Sequence, residues 1–211
     1  MQKISTTPNA ELMTQARESL RGKWGLAIGG FLTVMLISCV QFIPEIGPLI
    51  VLVITGPLSI GFAAFSLAIS RGERADIAQI FSGFEKFGVG VGAYILMMIF
   101  ILLWMLLLII PGIIAALSYS MTYYIIADEN LEDPLEALKK SKEMMDGNKW
   151  KLACMSGRFI GWMLLCILTL GIGYIWLAPY MTISYIKFYE DIKNSGSAGA
   201  DTPALVHQFN A

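Results

Sequence analysis

The feature that most constrains this chain is a series of almost uncharged apolar stretches, each about 20 residues long, that recurs from Trp24 to Tyr189. A helix of about 20 apolar residues crosses the roughly 30 Å hydrocarbon core of a bilayer. Only 15% of the residues are charged, against about 25% in soluble domains. The sequence therefore predicts an all-α, polytopic membrane protein, because helices satisfy their own backbone groups where water is absent.

The apolar stretches fall into three pairs, each with a turn sequence inside it. These turns are Pro44-Glu45-Ile46-Gly47-Pro48, Pro111-Gly112 and Leu170-Gly171-Ile172-Gly173. The first pair ends near Ser70, the second fills residues 88–127 and the third fills residues 150–189. Each pair is long enough for two spanning helices. We therefore predict six transmembrane helices arranged as three hairpins.

The distribution of basic residues predicts how the hairpins are oriented. The three short turns contain no Lys or Arg. The N-terminal segment, the two long loops and the end of the last apolar stretch contain every basic residue except Arg158. Because basic loops stay on the cytoplasmic side of a membrane, we expect both termini and both long loops in the cytoplasm.

Three Lys-aromatic pairs indicate an internal repeat. Lys23-Trp24, Lys86-Phe87 and Lys149-Trp150 are equally spaced along the chain, with a period of about 63 residues, and such self-similarity is the signature of a repeat architecture. Each pair follows a short amphipathic helix candidate and begins an apolar stretch, where Lys and aromatic side chains favour the membrane interface. The sequence thus predicts a pseudo-threefold repeat, in which every cytoplasmic interfacial helix precedes a transmembrane hairpin. The units are about 10–72, 73–132 and 133–193, within one domain of residues 1–193, and residues 194–211 are expected to form a flexible cytoplasmic tail.

Local patterns refine this architecture. Asp133 followed by Pro134 is typical of a helix start, and Gly147 of a helix end. Small residues four apart allow helices to approach closely in lipid, which predicts close packing at three motifs: Gly25-x3-Gly29, Gly88-x3-Gly92 and Gly157-x3-Gly161. The acidic cluster around Asp128 is expected to be a solvated loop and helix start.

The chain has few of the groups that catalysis needs. It contains one histidine, His207 in the tail, and no nucleophile elbow, HExxH motif or P-loop. The three cysteines at positions 39, 154 and 166 lie in apolar stretches and are expected to be packing residues. A net charge of −1 argues against nucleic-acid binding. We therefore expect no enzymatic activity, no metal and no cofactor.

Two polar features inside the apolar stretches are candidate ligand or pathway sites. Arg158 lies about eight residues into the fifth predicted helix, where a charge must snorkel, pair or line a wet cavity. The acceptors expected for it are the hydroxyls of Tyr119, Thr122 and Tyr123, or the carboxylates of Asp128 and Glu190. The three hydroxyl residues belong to the fourth predicted helix, where the alternatives are hydrogen bonds between helices or an interfacial tyrosine belt.

The region from Leu117 to Asp191 resembles a known family. The motifs that carry the resemblance are Leu117-Ser118-Tyr119-Ser120, Ala127-Asp128, Glu136-Ala137-Leu138, Phe159-Ile160-Gly161-Trp162, Ala178-Pro179-Tyr180 and Phe188-Tyr189-Glu190, with a looser match at Ala16-Arg17-x3-Leu20. They resemble an uncharacterised family of bacterial multi-pass membrane proteins, domain of unknown function 975. The resemblance implies a location in the bacterial cytoplasmic membrane, and it carries over no catalytic residue.

These observations leave two hypotheses for the function. The first is a membrane-embedded binding or assembly protein for a lipid, a peptide or a membrane-protein partner, because small-residue faces and interfacial helices suit that role. The second is a small transporter or channel with a polar path near Arg158, since transporters are often built from repeats with broken helices. Membrane lipids are expected partners in either case, and an oligomer is compatible with both.

Overall fold

The computed structural model describes residues 4–169 and 171–195, so nearly all of the predicted tail lies outside the described residues. The described part is helical and contains no strand. Its α-helices are α1 (Asn9–Ser19), α2 (Trp24–Ser38), α3 (Gly47–Ser70), α4 (Phe87–Leu107), α5 (Ile109–Tyr119), α6 (Thr122–Glu129), α7 (Pro134–Met144), α8 (Lys149–Leu168) and α9 (Tyr174–Ser195). Two 3₁₀ segments, Cys39–Phe42 and Ile77–Lys86, extend α2 and precede α4.

Five helical stretches are long and apolar enough to cross a membrane. They are Trp24–Phe42, Gly47–Ser70, Ile77–Leu107, Ile109–Glu129 and Lys149–Leu168. The sixth helix of the expected set, α9, is also long but has a less apolar composition, because its second half contains Lys187, Glu190, Asp191 and Lys193. The chain is therefore all-helical, with five helical stretches compatible with a multi-pass membrane protein.

The second hairpin differs from the sequence prediction in two places. The chain turns at the extended residue Leu108, and Pro111 lies in the first turn of α5, where a missing N–H costs little. The fourth predicted helix is also broken, because α5 ends at Tyr119 and α6 begins at Thr122. Tyr119 and Thr122 therefore belong to different helices.

The second helices of the three hairpins meet at the centre of the bundle. Helix α3 contacts both α6 and α9, and the rings of Tyr124 and Tyr189 lie 6.1 Å apart between α6 and α9. Phe65, Ile125 and Tyr189 are buried in this core. The first helices, α2, α4 and α8, have long rows of exposed apolar side chains, such as those from Leu102 to Leu107. This outer apolar surface is the one expected to face lipid.

The three short amphipathic segments pack against the bundle. Helix α1 contacts α9, the 3₁₀ segment Ile77–Lys86 contacts α3, and α7 contacts α5 and α6. Their buried residues include Leu12 and Ala16 in α1 and Leu138 in α7. The expected N-cap of α7 is confirmed, since the carboxylate of Asp133 accepts a hydrogen bond from the backbone N–H of Leu135 at 2.9 Å.

Glycine allows the closest helix approaches, but at positions other than those predicted. A Cβ at Gly56 would lie 2.0 Å from the carbonyl oxygen of Gly90, so α3 and α4 touch through their backbones. By contrast, Cβ atoms at Gly25, Gly88 and Gly157 would meet nothing within 4 Å. The predicted close packing along the Gly-x3-Gly motifs is therefore wrong for these positions.

Candidate functional site

The hydroxyl residues predicted from the fourth apolar helix lie together at the junction of α5 and α6. The ring of Tyr119 stacks on Phe100 with centroids 6.0 Å apart, and Thr122 donates its hydroxyl hydrogen to the carbonyl of Tyr119 at 2.8 Å. The hydroxyl oxygen of Tyr123 is buried and has no hydrogen-bond partner among the described residues. These contacts are local and include no residue of α8.

The break between α5 and α6 is filled by Ser141 of α7. Its hydroxyl donates to the carbonyl of Ser118 at 2.8 Å and accepts from the N–H of Met121 at 3.2 Å. Both backbone groups lose helical partners at the break, and Ser141 is fully buried. One side chain of α7 thus completes the backbone hydrogen bonding at the break between α5 and α6.

Arg158 is exposed on α8. Within residues 4–169 and 171–195 it forms no hydrogen bond or ion pair, and the acceptors expected for it have other partners. Asp128 pairs with Arg71 and Lys193, and Glu190 pairs with Arg71 and Lys187. The structure therefore does not bring Arg158 together with Tyr119, Thr122 or Tyr123.

The ends of α3, α6 and α9 meet in an ion-pair network, which we call the charged end of the bundle. Arg71 lies 2.6 Å from a carboxylate oxygen of Asp128 and 3.2 Å from one of Glu190. Asp128 also binds Lys193 and accepts a hydrogen bond from the hydroxyl of Tyr189 at 2.9 Å. Because the side chain of Asp128 is only 5% exposed, the expectation that it is solvated is wrong.

The electrostatics of this network favour the ionised forms. Burial lowers the pKa of Arg71, but the hydrogen bonds and negative charges of Asp128 and Glu190 outweigh it, so that this pKa lies above its ordinary value. Lys187 adds a hydrogen bond to the carbonyl of Ser70 at 2.9 Å. The network joins the ends of α3, α6 and α9.

The segment before α1 is tied to the third hairpin. The hydroxyls of Ser5 and Thr7 both donate to the carboxylate of Asp191, and Lys151 of α8 lies 3.8 Å from the same carboxylate. The side-chain amide of Asn9 donates to the carbonyl of Lys151 at 2.9 Å. These contacts hold α1 along α9.

A groove of about 320 Å³ opens beside α1, between α2 and the third hairpin. We call it the tryptophan groove, and its walls include Arg17, Trp24, Trp162, Leu165, Trp176 and Tyr180. Trp162 and Trp176 are about half exposed. The guanidinium carbon of Arg17 lies 5.9 Å from the centroid of the Tyr180 ring. The groove thus combines apolar, aromatic walls with one cation, and its volume is within the usual range of small-molecule sites, about 300–1,000 Å³.

A smaller cavity of about 170 Å³ lies between the second hairpin and the start of α8. Lys142 and Lys149 line one part of it, and Trp104, Pro111 and Ile114 line the rest. Tyr119 is also part of its wall. Through Tyr119, this cavity connects one predicted site residue to an open space.

Metal-ligating groups are dispersed in the described part of the chain. Residues 4–169 and 171–195 contain no group of three or more His, Cys, Asp or Glu side chains placed to hold a metal ion. Cys39 and Cys154 are free thiols and are exposed, so the expectation that they pack inside the protein is wrong. The predicted His207 lies outside the described residues.

The sequence did not single out the tryptophan groove. In the sequence, Arg17 is recognisable only as a basic residue and as part of the motif Ala16-Arg17-x3-Leu20. The available signal was the spacing of Trp162, Leu165 and Cys166, which places apolar and aromatic side chains on one face of α8. Because α1, α2 and α9 supply the other walls, the groove itself required the tertiary structure.

Comparison with known proteins gives a family but no characterised relative. No curated protein and no solved structure matches the chain. The family described as "Protein of unknown function (DUF975)" matches residues 1–116 and residues 105–196. Since these matches together cover most of the sequence, as the resemblance implied, the chain belongs to the DUF975 family.

Proposed function

We propose that this protein is a non-catalytic binding protein of the bacterial cytoplasmic membrane, which holds a lipid-like ligand in the tryptophan groove. The groove is the observation that carries the proposal. Its walls are apolar, and Trp162 and Trp176 are half exposed on the two helices of the third hairpin. A ligand dissolved in the bilayer therefore reaches this groove without crossing water.

The proposed architecture has six spanning helices, with α9 as the sixth, and both termini in the cytoplasm. The order of elements supports it, since each of the three hairpins follows a short amphipathic segment. The charged end of the bundle contains the basic residues that the positive-inside rule assigns to the cytoplasm. The proline of α9 also has a counterpart in α3, because Pro57 precedes Arg71 by the same interval as Pro179 precedes Lys193.

Helix contacts support a pseudo-threefold repeat of these units. The amphipathic segment of each unit packs on the second helix of the preceding unit, taken cyclically: α1 on α9, Ile77–Lys86 on α3, and α7 on α5 and α6. The first residues of two amphipathic segments also contact glycines at equivalent positions of two units. Ile77 lies against Gly29 and Pro134 lies against Gly92, and these two glycines are separated by the same interval as successive Lys-aromatic pairs.

Photocrosslinking tests ligand binding in the groove. The protein in phosphatidylcholine nanodiscs would contain a small fraction of phosphatidylcholine with a diazirine in its acyl chain, and adducts would be mapped by mass spectrometry. We expect adducts to concentrate on the groove walls, near Trp162, Leu165 and Trp176.

Two adjacent leucines provide a matched pair of variants. Leu165 lines the groove, whereas Leu164 does not, although both are more than half exposed. L165W fills part of the groove and should reduce its adducts, while L164W should leave them unchanged. Equal labelling of all exposed apolar faces, unaffected by L165W, would contradict the proposal.

Transport is the second candidate function, and the broken fourth helix favours it. Half-helices often meet at the substrate site of a transporter, and the buried hydroxyl of Tyr123 lacks a described partner next to the break. A path through this region predicts that Y123C reacts with a water-soluble thiol reagent. Absence of reaction, with normal reaction of a cysteine at exposed Glu132, would remove this candidate.

A further inference from the structure

We infer that the ligand of the tryptophan groove is an anionic phospholipid, whose phosphate pairs with Arg17 while an acyl chain lies along the tryptophans. The inference rests on the proposed function, since it names the chemical class of the ligand for the same groove. Basic pockets between transmembrane helices on the cytoplasmic side bind anionic head groups. A guanidinium suits a phosphate because it donates two parallel hydrogen bonds.

The charge of Arg17 is not neutralised by the described part of the protein. Arg17 is exposed, and no carboxylate within residues 4–169 and 171–195 forms an ion pair with it. Its described partner is the face of Tyr180, which attracts a cation weakly and leaves its hydrogen-bond donors free. Arg71, by contrast, pairs with two carboxylates. The groove therefore has an unpaired cation on its wall.

The position of Arg17 matches the level of a lipid head group. Tyr180, next to the guanidinium, also meets Phe159 of α8 with ring centroids 5.7 Å apart. Beyond Trp150, the exposed large apolar side chains of α8 begin at Ile160, the residue after Phe159. Arg17 is thus level with the edge of the apolar surface of α8, where head groups of the bilayer begin.

Arg158 adds a second cation at the same edge. It precedes Phe159 in α8, is exposed, and lies one helical turn from Trp162 on the same helix face. Arg17 and Arg158 therefore both lie at the level expected for a lipid phosphate. The aromatic walls of the groove lie beyond them. A zwitterionic lipid would bring its own cation into this region, so an anionic head group has the better charge complementarity.

The smaller cavity has the same construction at another junction of units. Lys142 and Lys149 line one part of it, and Trp104, Pro111 and Ile114 line the rest. Each cavity lies between the start of one unit and the hairpin of the preceding one. At the third junction, where α3 meets α4, Gly56 and Gly90 bring the backbones of the two helices into direct contact. The combination of cation and apolar wall therefore occurs twice, which supports recognition by charge.

Quenching of tryptophan fluorescence by brominated lipids tests the inference. In the W104F/W150F background the remaining tryptophans, Trp24, Trp162 and Trp176, all line the groove. The protein would be placed in phosphatidylcholine nanodiscs with about 10 mol% of brominated phosphatidylglycerol or, separately, brominated phosphatidylcholine. We expect the anionic lipid to associate about fivefold more strongly, since one basic residue contributes about 1 kcal/mol near a membrane surface.

Three arginine variants identify the group responsible. R17Q should remove most of the preference for phosphatidylglycerol, R17K should retain most of it, and R21Q should retain all of it. Arg21 is an exposed arginine just beyond α1 that does not line the groove, so R21Q controls for the net charge. Thermal unfolding of each variant would verify that the fold is intact, and R17K keeps the test valid where R17Q does not fold.

The outcomes separate this inference from the proposed function. Equal quenching by both brominated lipids would leave a lipid groove but overturn the anionic head group. Equal loss of preference in R17Q and R21Q would also overturn it, because the selectivity would then be a property of the whole surface. Absence of quenching by either lipid would overturn the proposed function itself.

Discussion

The guanidinium of Arg71 at the end of α3 lies 2.6 Å from a carboxylate oxygen of Asp128 at the end of α6. The same carboxylate binds Lys193 of α9, so one buried acid connects α3, α6 and α9. An acid with two basic partners compensates its own desolvation better than a simple pair does. This contact explains how an otherwise apolar bundle holds its hairpins in one arrangement.

Replacing Asp128 should therefore destabilise the bundle. We expect D128N to lower the free energy of unfolding by about 1–3 kcal/mol, because it leaves two basic groups without their common anion. The measurement is thermal unfolding in detergent, followed by circular dichroism. E136Q is the control, since Glu136 pairs with Lys140 at 3.0 Å on the exposed surface and should matter little. Equal effects of the two variants would contradict the role of Asp128.

The close approach of α3 and α4 gives a second prediction. In G90A the added Cβ would lie 2.6 Å from the backbone nitrogen of Pro57, so the helices must separate. We expect a loss of about 1–3 kcal/mol of stability, as for other overpacked sites. G88A, at an earlier position in the same helix, meets open space and should be neutral or slightly stabilising. Thermal unfolding of both variants distinguishes a contact effect from a propensity effect.

Ser141 should contribute more to stability than an ordinary helix serine. S141A removes the hydroxyl that bonds both Ser118 and Met121, and it leaves two buried backbone groups unpaired, at a cost of about 1–3 kcal/mol. Hydrogen exchange should also become faster at the start of α6. S120A is a suitable control, because Ser120 donates only to the nearby carbonyl of Leu117. Similar exchange rates in the two variants would argue against the bridging role.

The proposed topology predicts which residues can be labelled from outside the cell. In a background with the three native cysteines replaced, cysteines at Glu45, Leu108 and Ile172 should react with an impermeant thiol reagent. We choose Leu108 because the second turn lies there rather than at Pro111, and Ile172 because Gly171 has a φ of 83° that favours glycine. A cysteine at Arg74 should react only after the membrane is permeabilised. The reverse pattern would overturn the orientation.

Much of the helical framework could be predicted because it depends on local composition. The first helix of each hairpin begins within a Lys-aromatic pair, at Trp24, Phe87 and Lys149, since that pair marks the change from polar to apolar sequence. The N-cap at Asp133 was equally local. The break after Tyr119 could not be predicted, because the residue that compensates it, Ser141, belongs to a different helix, α7.

The sequence by itself determined that the chain is helical and apolar over spans of membrane length, because the pairing of backbone groups without water leaves few alternatives. It also determined the segregation of charge and the equal spacing of the Lys-aromatic pairs. Only the tertiary structure decided which polar groups meet: Asp128 with Arg71, and Arg17 with the aromatic groove. These contacts join residues from helices that are far apart in the sequence, so their geometry depends on how the helices pack and not on any local pattern.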